Sequence, residues 1–575
     1  IALKIIHLTN FKFKMKQQRF LSFVILAFLS VMVFSCKKST NTIGLTIPRD
    51  AMFAFYADGK SLNTKLPWDS IKNNAAINEL LRDSSLSAVA KAAIENPEST
   101  GIDINTDFLF FIKSDSSGGY AALEGNLKDA AKFKSFISAA YPGITHAEKD
   151  GVHFYSKDQI TASYKENRFI IAGELPEFNK RNKAFNYAEN DTAAKPMHVS
   201  KMDLNALVAS LYTIKNKESL GTDSRFTAVT QLKGDIHFWF NGEAFMSSNI
   251  GTMAAVMPML NLSKLYNGNA SGAAVNFDDG KITAQTLSFA GKEVEDLWKK
   301  YKGSNVNEDL LNRIQSNDIT GFITLNFKPK GLEELIKLTG VDGLINMGLA
   351  EAGINLDDFI KANGGDVLFA ATDFKKDTSG RQDANFVFAV SIGDKVSFKK
   401  LIDAGKKTGG MGASSKVAYN SNDKYFAIGN NKPYIDKFIA GGKTDMPFLG
   451  KISGNPMGGY ISLQKIIGSM QSGNYLDSLE REGLILAKKY WDYALMNGGK
   501  MNGHAMEGYF EVNFVDKKTN SLKQLNQFMV AAYNLEKLRK EKLDAQYGPV
   551  TDVIITPVPP LDTTEVAIPP APSSK

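Results

Sequence analysis

Ile319-Thr320-Gly321-Phe322-Ile323-Thr324-Leu325-Asn326-Phe327 alternates apolar residues with small or polar ones, and Lys328-Pro329-Lys330-Gly331 breaks the pattern before Leu332. Period-two alternation reads as a strand, and the break at Lys328–Gly331 ends it before Leu332 begins a helix. The same order occurs early in the chain, where Ala51–Tyr56 precedes Leu62 and a helix predicted near Ile71–Ala93. Ile282–Phe289 alternates after Asp279-Gly280, a strong hairpin turn. Strands paired by hairpins and separated by helices predict an α+β fold with mainly antiparallel sheet. No βαβα run with glycine-rich turns is present, which argues against a nucleotide-binding parallel sheet.

Outward from these strands the pattern comes twice. Gly101-Ile102-Asp103-Ile104 before Phe108-Leu109-Phe110-Phe111 answers to Gly353-Ile354-Asn355-Leu356 before Val367-Leu368-Phe369-Ala370. Phe133-Lys134-Ser135-Phe136-Ile137 answers to Phe398-Lys399-Lys400-Leu401-Ile402, and Asn167–Gly173 to Asp423–Gly429. Val275–Lys281 matches Val512–Lys518, each ahead of an amphipathic helix, Val294–Tyr301 and Leu522–Leu538. The order predicts two tandem repeats, 47–310 and 318–540. Phe133 is expected to superpose on Phe398, Phe169 on Tyr425 and Phe277 on Phe514, with Lys134 and Lys399 facing solvent. A groove is expected between the repeats, near the linker Gly303–Asn317.

The amino-terminal region reads as an export signal. Lys16 and Arg19 precede a 15-residue apolar stretch, Phe20–Phe34, shorter than the roughly 20 residues a membrane-spanning helix needs. It ends Val33-Phe34-Ser35-Cys36 and turns polar at Lys37-Lys38-Ser39-Thr40. This resembles the lipobox of bacterial lipoproteins, although Phe34 is bulkier than that pattern usually has. The resemblance implies cleavage after Ser35 and acylation of Cys36, the membrane partner being the lipid itself. Stable anchoring takes more than one acyl chain, in keeping with that chemistry. Residues 1–14 are taken as upstream mistranslation, 15–35 as signal peptide, 36–46 as a lipidated tether and the proline-rich 548–575 as a disordered tail. Lys37, and the lack of an acidic run through Thr42, predict the periplasmic side of the outer membrane.

Composition removes other classes. The chain has 68 Lys+Arg and 61 Asp+Glu, but five of the basic residues and none of the acids lie in residues 1–36. The remainder is near neutral, so no basic footprint for nucleic acid exists. Cys36 is the sole cysteine, so the core must be hydrophobic rather than disulfide-stapled.

Catalytic and metal motifs do not survive weighing. Ser397-Phe398-Lys399-Lys400 and Lys407-Thr408-Gly409 imitate penicillin-binding serine motifs but stand too close together. Gly442-Lys443-Thr444 lacks the first glycine of a phosphate-binding loop. Asp103-x-Asn105-x-Asp107 has Phe108 where a calcium loop needs glycine, and Asp373, Asp377 and Asp383 read as a solvated hairpin tip. The histidines His146, His153, His198, His237 and His504 show no metal-ligand spacing. No cofactor, nucleotide or metal is therefore expected. His237 and Trp239 share one face of a strand as a weak ligand platform, against a buried strand as the simpler reading.

Ile47-Pro48-Arg49-Asp50-Ala51 running into a strand and then Gly59-Lys60-Ser61-Leu62 resembles the opening of an uncharacterised Bacteroidetes lipoprotein family, with a lipobox and an I-P-x-D-A motif. The resemblance implies address and architecture but no activity. The sequence predicts a lipid-anchored envelope protein that binds or scaffolds, with an envelope protein or glycan as partner. A carrier of lipid or glycan in a cleft between the repeats, and a hydrolase with an unrecognised site, are the alternatives.

Overall fold

The computed structural model describes residues 43–547 apart from 73, 83–85, 116–117, 176–201, 249–262, 317, 377–381, 410, 412–416, 445, 447 and 472–476. The leader, Cys36, most of the tether, His198, Asp377 and the tail lie outside the described residues. Residues 43–46 are part of the fold: Ile47 and Thr46 are buried, and Leu220 donates its N–H to the Ile47 carbonyl.

The first ten strands are β1 Phe53–Ala57, β2 Phe108–Asp115, β3 Gly118–Asn126, β4 Thr145–Lys149, β5 Val152–Lys157, β6 Ile160–Lys165, β7 Arg168–Glu174, β8 Ile236–Asn241, β9 Ala270–Asp278 and β10 Lys281–Phe289. The rest are β11 Ile319–Asn326, β12 Asn363–Lys376, β13 Gln382–Ile392, β14 Ala418–Ser421, β15 Tyr425–Gly429, β16 Met457–Ser462, β17 Trp491–Asn502 and β18 Ala505–Phe514. All described pairings are antiparallel and join them into one sheet.

Pairing order within that sheet shows the repeat. The first half runs β7-β3-β2-β1-β8-β9-β10, with β6, β5 and β4 continuing outward. The second runs β14-β15-β13-β12-β11-β16-β17-β18. Apart from β4 and β5, which have no counterpart, the strand connections are the same, and the halves meet at β10 and β18. The fold is α+β, built from two copies of one antiparallel unit.

Capping shows why counterpart helices start together. Asp129 accepts N–H groups from Ala131 and Lys132, and Asp394 accepts from Ser397, opening helices Ala130–Ala140 and Lys395–Lys407. Each such cap contributes about 1 kcal/mol. Phe133 and Phe398 stand at the same helical position, and Lys134 and Lys399 are both exposed.

Three expectations need correction. Leu127 donates to the Asn167 carbonyl as Ile392 does to Lys424, so Phe169 corresponds to Phe426, one residue past Tyr425. Phe277 ends the outgoing strand of a hairpin whereas Phe514 ends a returning one, so they are not counterparts. Among the described residues the linker packs inward rather than lining a groove: Val306, Leu310, Leu311 and Ile314 are buried in the core of the second half. Separately, the helix predicted near Ile71–Ala93 is two helices, Ala75–Arg82 and Ala88–Glu95.

Candidate functional site

His237 and Trp239 lie on β8 and point into one core. Trp239 is 1% exposed and meets Phe226 edge-on at 5.7 Å. His237 Nε2 is 2.9 Å from the Leu232 carbonyl, and burial lowers the imidazole pKa so that the neutral ring is favoured. Neither ring is presented to solvent, so the pair fills core rather than forming an exposed platform.

The remaining sequence candidates are occupied locally. Ser397 is buried at a helix start, and Lys400 is ion-paired with Asp358 at 2.8 Å. Asp103 accepts from the Asn105 N–H in a turn. Asp373 accepts from Ser316 and Asn385. Thr444 bonds the Asn312 carbonyl. The Asp150-Gly151 hairpin, with φ of 54° and 74°, brings His146 and His153 together with ring nitrogens 3.4 Å apart. The Asp-Gly turn is the signal that could have placed them as neighbours. Among the described residues no group of three His, Cys, Asp or Glu is arranged to hold a metal ion. No described helix is long and apolar enough to cross a membrane.

Buried carboxylates hold the fold. Glu124 accepts from Thr46 and from Arg168 at 2.7 Å, fastening the start of the fold to β3. Glu511 sits beside the seam and accepts from Lys451 at 2.7 Å, Tyr509 at 2.8 Å and Asn513 at 3.1 Å. Burial pushes its pKa up, but these bonds outweigh that and hold it below the usual range.

What remains is an asymmetry between the repeats. Each half has two sheet faces, so two copies should make four cores, and three are formed. In the first half one core gathers Phe55, Phe133 and Phe169 and the opposite one gathers Phe111 and Trp239. In the second half one core gathers Phe322, Leu368, Val387 and Phe438. Among the described residues the fourth face carries no such core.

Register makes the comparison residue by residue. Across the first half runs Phe238, Phe55, Phe110, Leu123 and Ile171, each belonging to the first core or packed against it. The matching row in the second half is Gly459, Ile323, Phe369, Phe388 and Ile428. Phe55 is 5% exposed, whereas Ile323, Phe369 and Phe388 are 41%, 44% and 41% exposed. The row continues past Gly459 through Met496 to Phe510, also exposed. Ile461 and Phe386 lie on the same face, Phe386 stacked on Phe369 at 6.2 Å. Fully burying each such side chain contributes roughly 1.5–3 kcal/mol, which this face forgoes.

The helices explain the opening. In the first half, Ile77 and Ile94 from helices Ala75–Arg82 and Ala88–Glu95 drive into the core. In the second, helix Asp342–Ala350 buries none of its residues, and Leu344 and Met347 are more than half exposed. Helix Leu463–Gln471 also buries none. It touches β12 and β17, the strands on either side of β11 and β16, and Lys465 Nζ holds it 3.1 Å from the Ile319 carbonyl. Gly459 stands where the first half has Phe238, and the Met496 side chain lies over it, 3.1 Å from where a Cβ would stand.

Fold and site define a two-repeat α+β protein with one unfilled apolar face. The chain belongs to the family described as a domain of unknown function, DUF4836, whose model matches residues 45–428. No curated protein matches it. Among solved structures, "Structure of crystal form III of TP0453" is 12% identical with a TM-score of 0.25, covering 47% of this chain and 90% of that one. "Structure of crystal form IV of TP0453" is 10% identical with a TM-score of 0.23, covering 45% and 87%.

Proposed function

We propose that this is a lipid-anchored envelope protein that binds an apolar ligand without transforming it, on the open sheet face of the second repeat. The observation that carries the reading is the exposed row from Phe510 to Phe388, because a contiguous apolar face on a folded domain marks a binding surface. The repeats, taken as 47–310 and 318–540, arose in this reading by internal duplication. The first copy kept a closed core and the second opened the same face for binding. In this reading an acylated Cys36 holds the first copy next to the membrane, on the periplasmic side of the outer membrane.

An apolar-surface dye tests this reading. Dye fluorescence should rise with the wild-type chain and fall severalfold in a variant carrying Phe369→Ser and Phe388→Ser. No enhancement with wild type, or equal enhancement in both, contradicts it.

A further inference from the structure

We infer that the occupant of the open face is the hydrocarbon chain of a lipid, laid along the exposed apolar row. The inference rests on the open face being the binding surface and names what fills it. Three features select this chemistry.

The first is the lining. Along the row and beside it stand Ile323, Phe369, Phe386, Phe388, Ile461 and Phe510, none of them charged or able to hydrogen-bond through its side chain. A glycan needs polar groups placed to meet its hydroxyls, and burying those hydroxyls unpaired costs several kcal/mol. A hydrocarbon chain needs none.

The second is backbone saturation. The strands carrying the row are paired on both sides, β11 with β12 and β16, β12 with β13, and β18 with β10 and β17. No free strand edge borders the row's centre, so a peptide cannot add there as a further strand.

The third is shape. Helix Leu463–Gln471 starts where β16 ends, touches β17 and β12 and is tied to the first residue of β11, Ile319, so it stands at one end of the strands. The row from Phe510 to Phe388 crosses six strands, five spacings that make a run of roughly 24 Å, comparable with a long extended acyl chain. Phe398 supports the same geometry: it meets Phe426 at 5.5 Å but stays partly exposed, whereas its counterpart Phe133 is fully buried.

The experiment uses the full chain with Cys36→Ala, so that its own lipid cannot contribute. It is mixed with vesicles of phosphatidylethanolamine and phosphatidylglycerol carrying a radiolabelled tracer phospholipid, and the vesicles are removed by flotation. About one labelled lipid per chain should remain with the vesicle-free protein. The Phe369→Ser, Phe388→Ser variant should retain about tenfold less, the loss expected for a reduction of some 1.4 kcal/mol in binding. An excess of free fatty acid should displace the tracer, showing that the chain rather than the headgroup is held. Protein that floats with the vesicles and extracts no lipid, or a variant that extracts as much as wild type, overturns the inference. If the dye still binds in that case, the apolar face survives as a binding surface and only the lipid fails.

Discussion

Gln285 of β10 lies directly opposite Tyr509 of β18, and each is the other's counterpart in its own repeat. The hairpins fix this equivalence: Lys281 and Ala505 are the first residues after their turns, pairing with Asp278 and Asn502, and Gln285 and Tyr509 follow each at the same interval. A local twofold axis therefore passes between them. Phe289 pairs with Ala505 and Lys281 with Asn513, the reciprocal pattern that an isologous contact requires. A single chain here reproduces the geometry of a symmetric dimer and then breaks the symmetry on one face.

Glu511, beside that seam, should carry pH-dependent stability. Its carboxyl is held below the ordinary range when folded, so the unfolded chain binds its proton more tightly. The contribution is complete above the unfolded value and is lost as pH falls through the folded one. Glu511→Gln should cost about 1–2 kcal/mol at pH 7, since it replaces charge-assisted bonds from Lys451, Tyr509 and Asn513 with neutral ones, and much less near pH 3. Urea unfolding of both proteins at the two pH values measures the difference.

Counterpart positions should differ in what they contribute to stability. Phe55→Ala empties a core site and should cost about 3–5 kcal/mol. Phe369→Ala, in the matching row, should cost less than about 1 kcal/mol. Denaturant midpoints compared at constant slope test the pair; equal losses would mean that the second face is packed as the first is.

Cys36→Ser should abolish lipid attachment, because no other thiol exists in the chain. Incorporation of labelled fatty acid in cells producing each form checks this, and equal labelling would remove the anchor from the account.

Much of the architecture was legible because helix caps and hairpin turns are local. Asp279-Gly280, with Gly280 at φ 68°, fixes a turn that the dipeptide itself announces. Phe133 and Phe398 could be matched since each follows its cap by four residues. Register was harder: Tyr425 and Phe426 are successive aromatics, and matching by residue type chose the wrong one. Val275-Asn276-Phe277 and Val512-Asn513-Phe514 spell alike, yet sit on opposite arms of their hairpins. The open face left no signature of its own. Phe386 and Phe388 alternate as Ala121 and Leu123 do, and alternation tells which face is apolar, not whether helices from elsewhere in the repeat close over it. His237 was ambiguous for the same reason, since strand periodicity cannot tell an exposed face from one covered by another layer.

The most direct measurement compares thiol reactivity at counterpart positions in a chain whose own cysteine is replaced, Cys36→Ala. Ile323→Cys and Phe55→Cys, introduced singly, would be labelled with a small maleimide under native conditions. The account predicts that Ile323→Cys reacts at least about tenfold faster than Phe55→Cys, which must await local opening of its core, and that saturating fatty acid slows only the former. Equal, slow labelling at both positions would show that the second repeat is closed like the first and would contradict the account.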